Sequence, residues 1–336
     1  MVVTRGTARA GLPPVSPLPS VLTIGNFDGV HLGHQAMIAR VGAVARAGGL
    51  AGCVLTFEPH PREFFNPVAA PTRLTSLREK LELLAKHGIA RTHVQRFTRA
   101  FAALSPEAFV EKVLVGALSV RWLLIGADFR FGAKRAGDLA LLETLAARHG
   151  FEIEVMRTVE RSGTRVSSSA VREALAAGEL AGAQTLLGRP YSMSGRVVHG
   201  DKLGRELGFA TANVQMRHNR PPLSGIFAVR MHGAAGDDEK REGEVRDGVA
   251  SLGVRPTVKS NGLPVLEVHL LDYSGNLYGR HVRVEFLHKI RDEAKYPDLG
   301  MLRAQIARDC DAARAHLAGL AMRGGTSRRA SLIQDR

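Results

Sequence analysis

Short apolar runs alternate with helical apolar patterns along the first half of the chain. The run at 21–24 precedes a helical pattern over 35–46, and the run at 54–57 precedes another over 74–87. Further runs and helical patterns continue the series. Strands that alternate with helices in this way build parallel sheets, so the pattern predicts a Rossmann-like α/β domain over 21–185.

Two of the predicted helices carry start signals. Ser76 and Glu79 have the spacing of a capping box. Ser105 and Pro106 supply a cap and a first-turn proline for the next helix. Both segments are therefore expected to begin helices.

Beyond residue 186 the pattern changes to short alternating strands separated by glycines, which predicts an antiparallel β-barrel domain over 186–320. Strands are expected at 225–232, 249–254, 266–271 and 281–286. Apolar spacing over 299–317 predicts a helix across one side of the barrel. The charged, glycine-rich segment 233–246 is typical of a loop.

Both ends of the chain are expected to be flexible segments. Residues 1–20 are rich in proline and precede the first apolar run. Residues 321–336 are rich in arginine and lack an apolar pattern. Neither segment offers enough apolar surface to predict a packed element.

Composition agrees with a two-domain globular protein of 336 residues. The chain is 45% hydrophobic with a mean hydropathy of −0.05, and it has neither a long uncharged apolar run nor a signal-peptide core. No membrane partner is therefore expected. Cys53 and Cys310 fall in different predicted domains, which predicts a cytoplasmic protein without a disulfide framework.

The net charge of +14 raises the question of nucleic-acid binding. The basic residues are scattered and mostly arginine, and aromatic residues make up 5% of the chain. Nucleic-acid sites more often combine a basic block with interleaved aromatic residues. The charge therefore favours anionic small substrates, and no nucleic-acid partner is expected.

The segment GNFDGVHLGH (25–34) joins the first predicted strand to the first predicted helix. Gly25 permits a tight turn, Gly33 lets a ligand approach the main chain, and the helix start favours an anion. His31 and His34 are spaced so that both imidazoles meet at one point, where they would hold phosphates. Metal ligation, or two ordinary surface histidines, are the alternatives.

Taken whole, GNFDGVHLGH resembles the signature of the HxGH nucleotidylyltransferases. These enzymes move a nucleotide onto an acceptor phosphate and release pyrophosphate. The resemblance rests on ten residues in a strand-to-helix context. It favours a nucleotide over a metal as the partner of the histidine pair.

Two further segments of the first half follow predicted strands. TFEPHP (56–61) ends the second strand, where open α/β sheets place ligand loops, although a simple proline turn is the alternative. In GADFRFG (126–132), extended backbone would show Asp128 and Arg130 to one side and the rings of Phe129 and Phe131 to the other. A charged pair beside two rings suits a nucleotide or a flavin.

The segment VSSSAVREAL (166–175) combines hydroxyls with an arginine at a predicted helix start. Ser168, Ser169 and Arg172 offer donors that suit a phosphate. An ordinary serine-capped helix is the alternative.

In the second half, GRVVHGDKLGRELGFATANV (195–214) places Gly200 and Gly204 around Lys202, a flexible and positively charged span suited to a nucleotide. Thr211 and Asn213 are two apart, so extended backbone directs both oxygen-bearing side chains to one face, where they suit Mg²⁺. A hydrophilic hairpin is the alternative reading of the glycines.

In LEVHLLDY (266–273), alternation places Glu267 opposite the apolar face of a strand. By periodicity alone it is either a solvated strand residue or a general base.

The motifs over 23–175 resemble the adenylyltransferase half of the prokaryotic bifunctional riboflavin kinase and FAD synthetase family. Residues 187–315 resemble its kinase half, also through LGRPY, GVRPTV, YGRHVRVEFL and KIRDEAKY. The resemblance implies phosphorylation of riboflavin to FMN and adenylylation of FMN to FAD. It implies riboflavin, FMN and ATP as partners and Mg²⁺ as the metal that accompanies ATP, with no tightly bound organic cofactor.

The resemblance also implies roles for individual residues. Asp128 and Phe129 would line a pocket shared by adenine and FMN. Thr211 and Asn213 would hold Mg-ATP, and Glu267 would accept the proton of the riboflavin hydroxyl. The ATP phosphates of the first half would be held by Gly25, Asn26, Asp28, His31, Gly33, His34, Ser168, Ser169 and Arg172.

One departure from the family concerns the second half. Family members usually read GFPTAN, whereas this chain has Ala210 in place of the proline. The change frees the backbone before Thr211, so we expect weaker substrate affinity in the kinase half. A paralogue with one active half, and a basic RNA-binding or regulatory protein without catalysis, are the alternative functions.

Overall fold

The computed structural model describes residues 1–6, 18–161, 163–200, 204, 207–218, 220–234, 245–254 and 264–331. The chain divides into two compact units, Met1–Ser168 and Ser169–Arg336. The first unit contains a parallel sheet with helices, and the second contains a closed antiparallel barrel. Both predicted fold classes are confirmed.

The described strands of the parallel sheet are β1 (Val2–Arg5), β2 (Ser20–Ile24), β3 (Ala51–Glu58), β4 (Arg91–Arg96), β5 (Val120–Gly126) and β6 (Glu152–Met156). A short hairpin, β7 (Glu160–Arg161) and β8 (Thr164–Arg165), follows them. The helices are α1 (Leu32–Ala47), α2 (Pro61–Phe65), α3 (Leu77–Lys86), α4 (Arg99–Ala102), α5 (Pro106–Phe109), which continues as a π-helix over Val110–Ala117, and α6 (Leu139–His149). A 3₁₀ turn, Ala133–Arg135, precedes α6.

The order across the sheet is β1-β4-β3-β2-β5-β6. After β2 the chain builds β3 and β4 on one side and then returns to β5 on the other. Open α/β sheets bind ligands beside the carboxyl ends of strands at such a reversal. The loops after β2 and β5 carry GNFDGVHLGH and GADFRFG. The topology therefore brings these two motifs to one edge of the sheet.

Apolar side chains cover both faces of this sheet. Leu22 and Leu123 belong to a core that includes residues of α5 and α6, whereas Val21 and Leu124 belong to a core with residues of α1 and α3. Alternate residues of one strand thus face opposite layers of helices, as in other parallel sheets. Burial of each such side chain contributes roughly 1.5–3 kcal/mol.

The predicted helix starts are confirmed. The Ser76 side chain accepts a hydrogen bond from the N–H of Glu79, and the Glu79 carboxylate accepts one from the N–H of Ser76. At α5, the Ser105 side chain accepts from Ala108, and Pro106 occupies the first turn. These caps satisfy N–H groups that a helix start leaves without intrahelical partners.

The prediction of a flexible segment over 1–20 is wrong at its start. β1 pairs in parallel with β4, and the Thr4 hydroxyl lies 2.9 Å from Nδ1 of His93. β1 lies at the edge of the sheet and is largely exposed. It therefore lacks the apolar signal that marks the central strands. Residues 7–17, which hold most of the prolines, lie outside the described residues.

The described strands of the barrel are β9 (Tyr191–Val198), β10 (Ala212–Met216), β11 (Gly225–His232), β12 (Val245–Val254), β13 (Pro264–Leu270) and β14 (His281–Arg291). Their order is β10-β13-β12-β11-β14-β9, and β9 pairs with β10 to close the ring. Every pair is antiparallel. Closure leaves no sheet edge unpaired.

The predicted barrel strands are confirmed with one correction. β12 begins at Val245, so the last two residues of the predicted loop, Val245 and Arg246, belong to a strand. Their side chains pair across the sheet with β11, which a charge pattern in one segment does not reveal. Residues 235–244 of that loop lie outside the described residues.

The second unit also contains the helices α7 (Ser168–Ala176), which begins at the last residue of the first unit, α8 (Leu180–Leu187) and α9 (Leu299–Ser331). The predicted terminal helix is confirmed, and it packs Cys310, Ala313 and Leu317 against Ile226 and Ala228. The predicted flexible tail over 321–336 is wrong as far as Ser331, because α9 continues through it. Residues 332–336 lie outside the described residues.

The described units divide earlier than the sequence predicts. α8 buries Leu180, Ala183 and Leu187 and packs on β9 and β14. It therefore belongs with the barrel unit. Strand–helix alternation instead predicts an α/β domain that extends to residue 185.

Candidate active sites

The first candidate site begins where β2 ends. The N–H of Gly25 donates to the carbonyl of Leu55 at 3.0 Å, which ties the loop to β3. Phe27 and Val30 have φ values of 49° and 42°, a left-handed backbone that side chains seldom adopt. Both side chains are fully buried, so the core holds this turn in place.

The two histidines of this loop lie together, as their spacing predicts. His31 caps α1, and its Nδ1 accepts a hydrogen bond from the N–H of His34 at 3.4 Å. The rings stack with centroids 3.7 Å apart and an interplanar angle of 18°. The Phe27 ring packs on the other side, 4.8 Å from the His34 ring. The pair therefore forms one surface at the start of α1.

The surroundings of this pair disfavour an additional positive charge. Burial lowers the pKa of His34 well below its ordinary value, and the charges of His31 and Lys80 lower it further. His34 Nδ1 and Asn26 Oδ1 are buried and have no hydrogen-bond partner among the described residues. Buried polar atoms are nearly always paired, so these two atoms indicate a position for a ligand.

Asp28 of the first loop forms hydrogen bonds with the turn before α3. Its carboxylate accepts hydrogen bonds from the N–H groups of Leu74 and Thr75 and from the Thr75 hydroxyl, at 3.0–3.1 Å. The Thr75 hydroxyl oxygen also accepts from Gly29. A carboxylate with these partners fastens the turn before α3 to the first loop, and its charge repels a phosphate. The role of Asp28 in binding the nucleotide stays a prediction.

The serine-rich segment also approaches this loop. The Ser168 hydroxyl donates to the carbonyl of Asp28 at 2.9 Å. A side chain at Gly33 would lie 3.2 Å from the His31 ring and 3.5 Å from the Val166 carbonyl, which explains the glycine. Ser169 and Arg172 follow on α7, within the second compact unit. Their phosphate-binding role stays a prediction.

The GADFRFG segment differs from its prediction in the arrangement of charges. Its backbone turns through a hydrogen bond from Phe129 to Gly126, so it is not extended throughout. Asp128 pairs with Arg165 at 3.1 Å and Arg130 with Asp138 at 3.6 Å. Each charge therefore has a partner outside the segment, and a nucleotide or flavin site beside Asp128 and Arg130 stays a prediction.

The two rings of that segment do share one side. Phe129 and Phe131 stack with centroids 5.7 Å apart and pack on the core. Asp128 remains exposed. Its role with Phe129 in a flavin or adenine pocket stays a prediction.

An aromatic cluster at the carboxyl ends of β3 and β4 escaped the sequence analysis. Its rings meet edge to face or tilted, with centroids 5.3–5.9 Å apart. The Phe65 ring is 68% exposed, which suits contact with a planar apolar ligand. The cluster assembles only when β3 pairs with β4, since its members are distant in sequence: Phe57, Phe64, Phe65, Phe97 and Phe101.

Charged groups beside this cluster were also missed. TFEPHP contributes Glu58, whose carboxylate forms two hydrogen bonds with Arg73, at 2.7 and 3.0 Å. Arg73 also binds Glu63 of α2. On α3, Lys80 is 4% exposed. The available signal was the position of Lys80 on the apolar stripe of α3, three residues after Leu77.

The second candidate site lies on the outer face of the barrel. Leu266 and Val268 are fully buried, so Glu267 between them points outward, as its periodicity predicts. Asn213 of β10 lies directly opposite Glu267, and Ser251 of β12 lies opposite it on the other side. Residues directly opposite share one face of a sheet. The register therefore brings Asn213 and Glu267 together.

The glycines of the second half accommodate the two predicted metal ligands. A side chain at Gly200 would lie within 2.5 Å of the Asn213 amide, and one at Gly204 would lie 3.2 Å from the Thr211 hydroxyl. The loop backbone thus lies directly against both side chains. Lys202 lies outside the described residues.

The backbone before Thr211 is held by a contact that the sequence does not announce. His269 Nδ1 donates to the carbonyl oxygen of Ala210 at 2.9 Å. The His269 ring also packs edge to face with Phe209, with centroids 5.4 Å apart. These contacts restrain the position where the family proline is missing.

A second carboxylate lies near Glu267. Glu293 Oε1 accepts a hydrogen bond from the Ser251 hydroxyl at 3.3 Å. A side chain at Gly253 would overlap the Glu293 carboxylate, so this glycine leaves room for it. Glu293 follows β14 and is distant in sequence from LEVHLLDY, so the sequence analysis did not connect them.

Within the part of the chain described, no group of three or more His, Cys, Asp or Glu side chains is placed to hold a metal ion. The second site instead offers a hydroxyl and an amide oxygen, a donor set that suits Mg²⁺ when nucleotide phosphates complete the shell. Among the same residues, no helix is both long and apolar enough to cross a bilayer.

A histidine pair at the reversal point of a parallel sheet, and a carboxylate opposite an oxygen pair on a barrel, together define a two-part transferase of the nucleotide-dependent class. Residues 14–170 match the family described as FAD synthetase, and residues 187–317 match riboflavin kinase. The chain belongs to the bifunctional riboflavin kinase/FMN adenylyltransferase family.

Curated relatives that carry that name include proteins from two bacterial species. The protein of Escherichia coli strain K12 is 48% identical over 289 residues, which is 86% of this chain and 90% of the relative. That of Haemophilus influenzae is 45% identical over 295 residues, or 88% and 93% of the two chains. A crystal structure described as a macrolide-efflux protein from Streptococcus pneumoniae has a TM-score of 0.76 at 25% identity, over 92% of this chain and 97% of that one. This likeness supports the fold.

Proposed function

We propose that this protein phosphorylates riboflavin to FMN in its barrel unit and adenylylates FMN to FAD in its α/β unit, with ATP as the co-substrate of both reactions. Both halves of the family are present, in a chain that covers nine-tenths or more of these two relatives. The observation that carries the proposal is the pairing of Glu267 opposite Asn213, because this register would bring a general base beside a nucleotide-binding position. Use of ATP and the two-cysteine composition favour a cytoplasmic location.

In adenylyl transfer, an oxygen of the FMN phosphate attacks the α-phosphorus of ATP, and the bond to the β-phosphate oxygen breaks to release pyrophosphate. No covalent enzyme intermediate is needed, so the protein contributes alignment and charge stabilisation. His31 and His34, with the free N–H groups at the start of α1, would bind the phosphates. The unpartnered Asn26 oxygen would accept from a hydroxyl or amino group of the nucleotide.

The aromatic cluster is a better candidate for binding the flavin ring in this unit than the predicted pocket of Asp128 and Phe129. It lies at the carboxyl ends of β3 and β4, beside the loop of β2, and Phe65 is exposed. Phe129 would add a ring from the loop after β5. Stacking on such a surface needs no charged partner, which agrees with the pairing of Asp128 to Arg165.

In the kinase reaction, Glu267 would accept the proton of a ribityl hydroxyl as its oxygen attacks the γ-phosphorus of ATP, and ADP leaves. Gly200 and Gly204, with Lys202, would bring the loop backbone and a positive charge to the phosphates. Thr211 and Asn213 would hold Mg²⁺ together with the nucleotide. The bound ion would neutralise phosphate charge as it builds up.

The test is a coupled assay of the whole protein with riboflavin, ATP and Mg²⁺, in which FMN and FAD are separated by chromatography. We expect FMN to form first and FAD to follow. His34→Ala should reduce FAD formation about a hundredfold or more, because it removes a group that stabilises transition-state charge, and should leave FMN formation intact. FMN without FAD in the wild-type protein would indicate that only the kinase half works, and neither product would contradict the proposal.

A further inference from the structure

Helix α3 carries a buried lysine that the proposed mechanism does not use. Lys80 is 4% exposed and stands between Leu77 and Leu84 on the side of α3 that packs on the sheet. Lysine is almost never buried without compensation, since removing an ammonium group from water costs several kcal/mol. The position of this group therefore needs a reason.

The Thr56 hydroxyl connects Lys80 to the first loop. Its Nζ is 3.5 Å from Oγ1 of Thr56, at the end of β3. The Thr56 hydroxyl donates in turn to the carbonyl oxygen of Asn26 at 3.2 Å. The Asn26 side chain is the one whose oxygen lacks a partner among the described residues. The lysine thus supports the residue that offers a free acceptor to the ligand.

Charged groups of both signs act on Lys80. The carboxylates of Asp28, Glu58 and Glu63 attract it, while Arg73 repels it. Those carboxylates already serve other donors: Asp28 binds the turn at 74–75, and both glutamates bind Arg73. Burial lowers the pKa of Lys80, and the carboxylates oppose that effect.

The lysine also acts on the histidine pair. The charged or titratable groups that act on His34 are His31, from the start of α1, and Lys80, from α3. Both disfavour a proton on His34. A neutral imidazole offers one N–H donor and one acceptor, whereas an imidazolium offers two donors and a charge.

We propose that Lys80 is a positioning residue for adenylyl transfer, which supports Asn26 through Thr56 and contributes a positive charge to the surroundings of His34. The proposal rests on the adenylyltransferase activity proposed above. It assigns the buried charge a function that packing alone does not require, because a methionine would fill the same space.

The test compares Lys80→Met and Lys80→Arg with wild type in FAD formation from supplied FMN between pH 5.5 and 9. Lys80→Met should lower kcat at least about tenfold at pH 6.5 through misplacement of Asn26. Because a positive charge near His34 is lost, the acid limb of the profile should move to higher pH. Lys80→Arg keeps the charge and should keep the acid limb. Lys86→Met, on the exposed side of α3, is the matched control.

A second measurement separates this role from a structural one. NMR gives the midpoint pH of the His34 ring titration, whose signals are assigned by comparison with His34→Gln. This midpoint should move to higher pH in Lys80→Met and stay unchanged in Thr56→Val. Thr56→Val should lower kcat without moving the acid limb, which keeps the proposal testable if Lys80→Met fails to fold.

An unchanged acid limb and an unchanged His34 titration in a folded Lys80→Met protein would overturn the role of the lysine. A wild-type protein that forms no FAD would instead overturn the proposed function. Kinase activity in the same samples reports the integrity of the second unit.

Discussion

The two candidate sites are assembled by different means. In the α/β unit, ten consecutive residues supply the turn, the helix cap and both histidines. In the barrel, Asn213, Ser251 and Glu267 come from three strands and meet only through the pairing register. The first site is a local product of the sequence, and the second is a product of topology.

The sites also differ in their exposure to water. Nδ1 of His34 and the Lys80 side chain are buried, so charges there interact strongly and are weakly screened. Glu267 and Asn213 lie on the outer face of the barrel and are half-buried. We therefore expect the adenylyl-transfer site to be sensitive to pH and to single charges, and the kinase site to be sensitive to geometry.

The largest expected effect tests the assignment of one reaction to each unit. Glu267→Gln keeps the size of the side chain but removes the base, so riboflavin phosphorylation should fall by about 10²–10⁴. Adenylylation of supplied FMN should be unchanged. Both rates are measured on the same purified sample by chromatography of FMN and FAD.

The matched control for that variant is Glu285→Gln. Glu285 is also a half-buried carboxylate on the barrel, but it lies on β14, which does not pair with β13. We expect kinase activity within about twofold of wild type, as for most substitutions away from a site. Equal loss of both reactions in Glu267→Gln would show that the two units do not divide the work as proposed.

The next effect concerns how the first loop is held. Asp28→Ala leaves the N–H groups of Leu74 and Thr75 without their acceptor inside the protein. Each buried unsatisfied donor costs about 1–3 kcal/mol, so the unfolding free energy of the α/β unit should fall by about 2–5 kcal/mol. Denaturant unfolding followed by Trp122 fluorescence measures the loss, since Trp122 is in that unit.

Asp28→Asn retains one acceptor oxygen and should cost less than Asp28→Ala. The kinase reaction is the internal control, because the second unit keeps all its contacts. If Asp28→Ala were fully stable and weakened only ATP binding, Asp28 would act as the direct ligand contact that the resemblance implies and would not hold the loop.

Features that depend on neighbouring residues could be predicted from the sequence, whereas contacts between distant segments could not. Periodicity and spacing were sufficient to predict three features that each depend on neighbours within a few residues: the GNFDGVHLGH turn, the capping box at Ser76 and the outward position of Glu267. The contacts of Asp28 with Leu74 and Thr75, and that of His269 with Ala210, join distant segments. Local patterns carry no information about such pairings until the strand order is known.

The same reasoning accounts for the errors at the chain ends. β1 is a largely exposed edge strand that pairs with β4, so it has no apolar signature. The extension of α9 to Ser331 adds residues that have no apolar stripe. Both chain ends lack an apolar pattern and were therefore predicted to be flexible, although each forms a regular element.

A smaller effect concerns the pH dependence of stability. The pKa of His34 is lowered in the folded protein. Above the ordinary histidine pKa, both folded and unfolded states hold a neutral ring, so the contribution of the ring to stability is fully present. As the pH falls below that value, the unfolded state takes up a proton first, and stability is lost until the pH reaches the folded pKa. The unfolding free energy of the α/β unit should therefore decrease on acidification from pH 7.

Comparison with His34→Gln isolates that contribution from the carboxylates. Because glutamine does not titrate, the variant should show a flatter pH dependence between pH 7 and 5 in the same denaturant experiment. The loss should be smaller than that caused by Asp28→Ala. Parallel curves for the two proteins would show that His34 is not held neutral.

The smallest effect sharpens the geometric side of the comparison. Ala210→Pro restores the residue usual in the family and restricts the backbone before Thr211. A compatible proline stabilises by about 0.4–1 kcal/mol, which corresponds to roughly two- to fivefold tighter ATP binding if the restraint acts in the bound state. The KM for ATP in the kinase reaction measures this, with adenylylation as the unchanged reference.

The contact between His269 and Ala210 determines how large that gain is. The hydrogen bond already restrains the same backbone, so proline and histidine should act non-additively. His269→Phe alone should raise the KM for ATP about two- to tenfold, because one neutral hydrogen bond contributes about 0.5–1.5 kcal/mol. Ala210→Pro in that background should recover more affinity than it adds to wild type. Independent effects would mean that the His269 contact does not substitute for the missing proline.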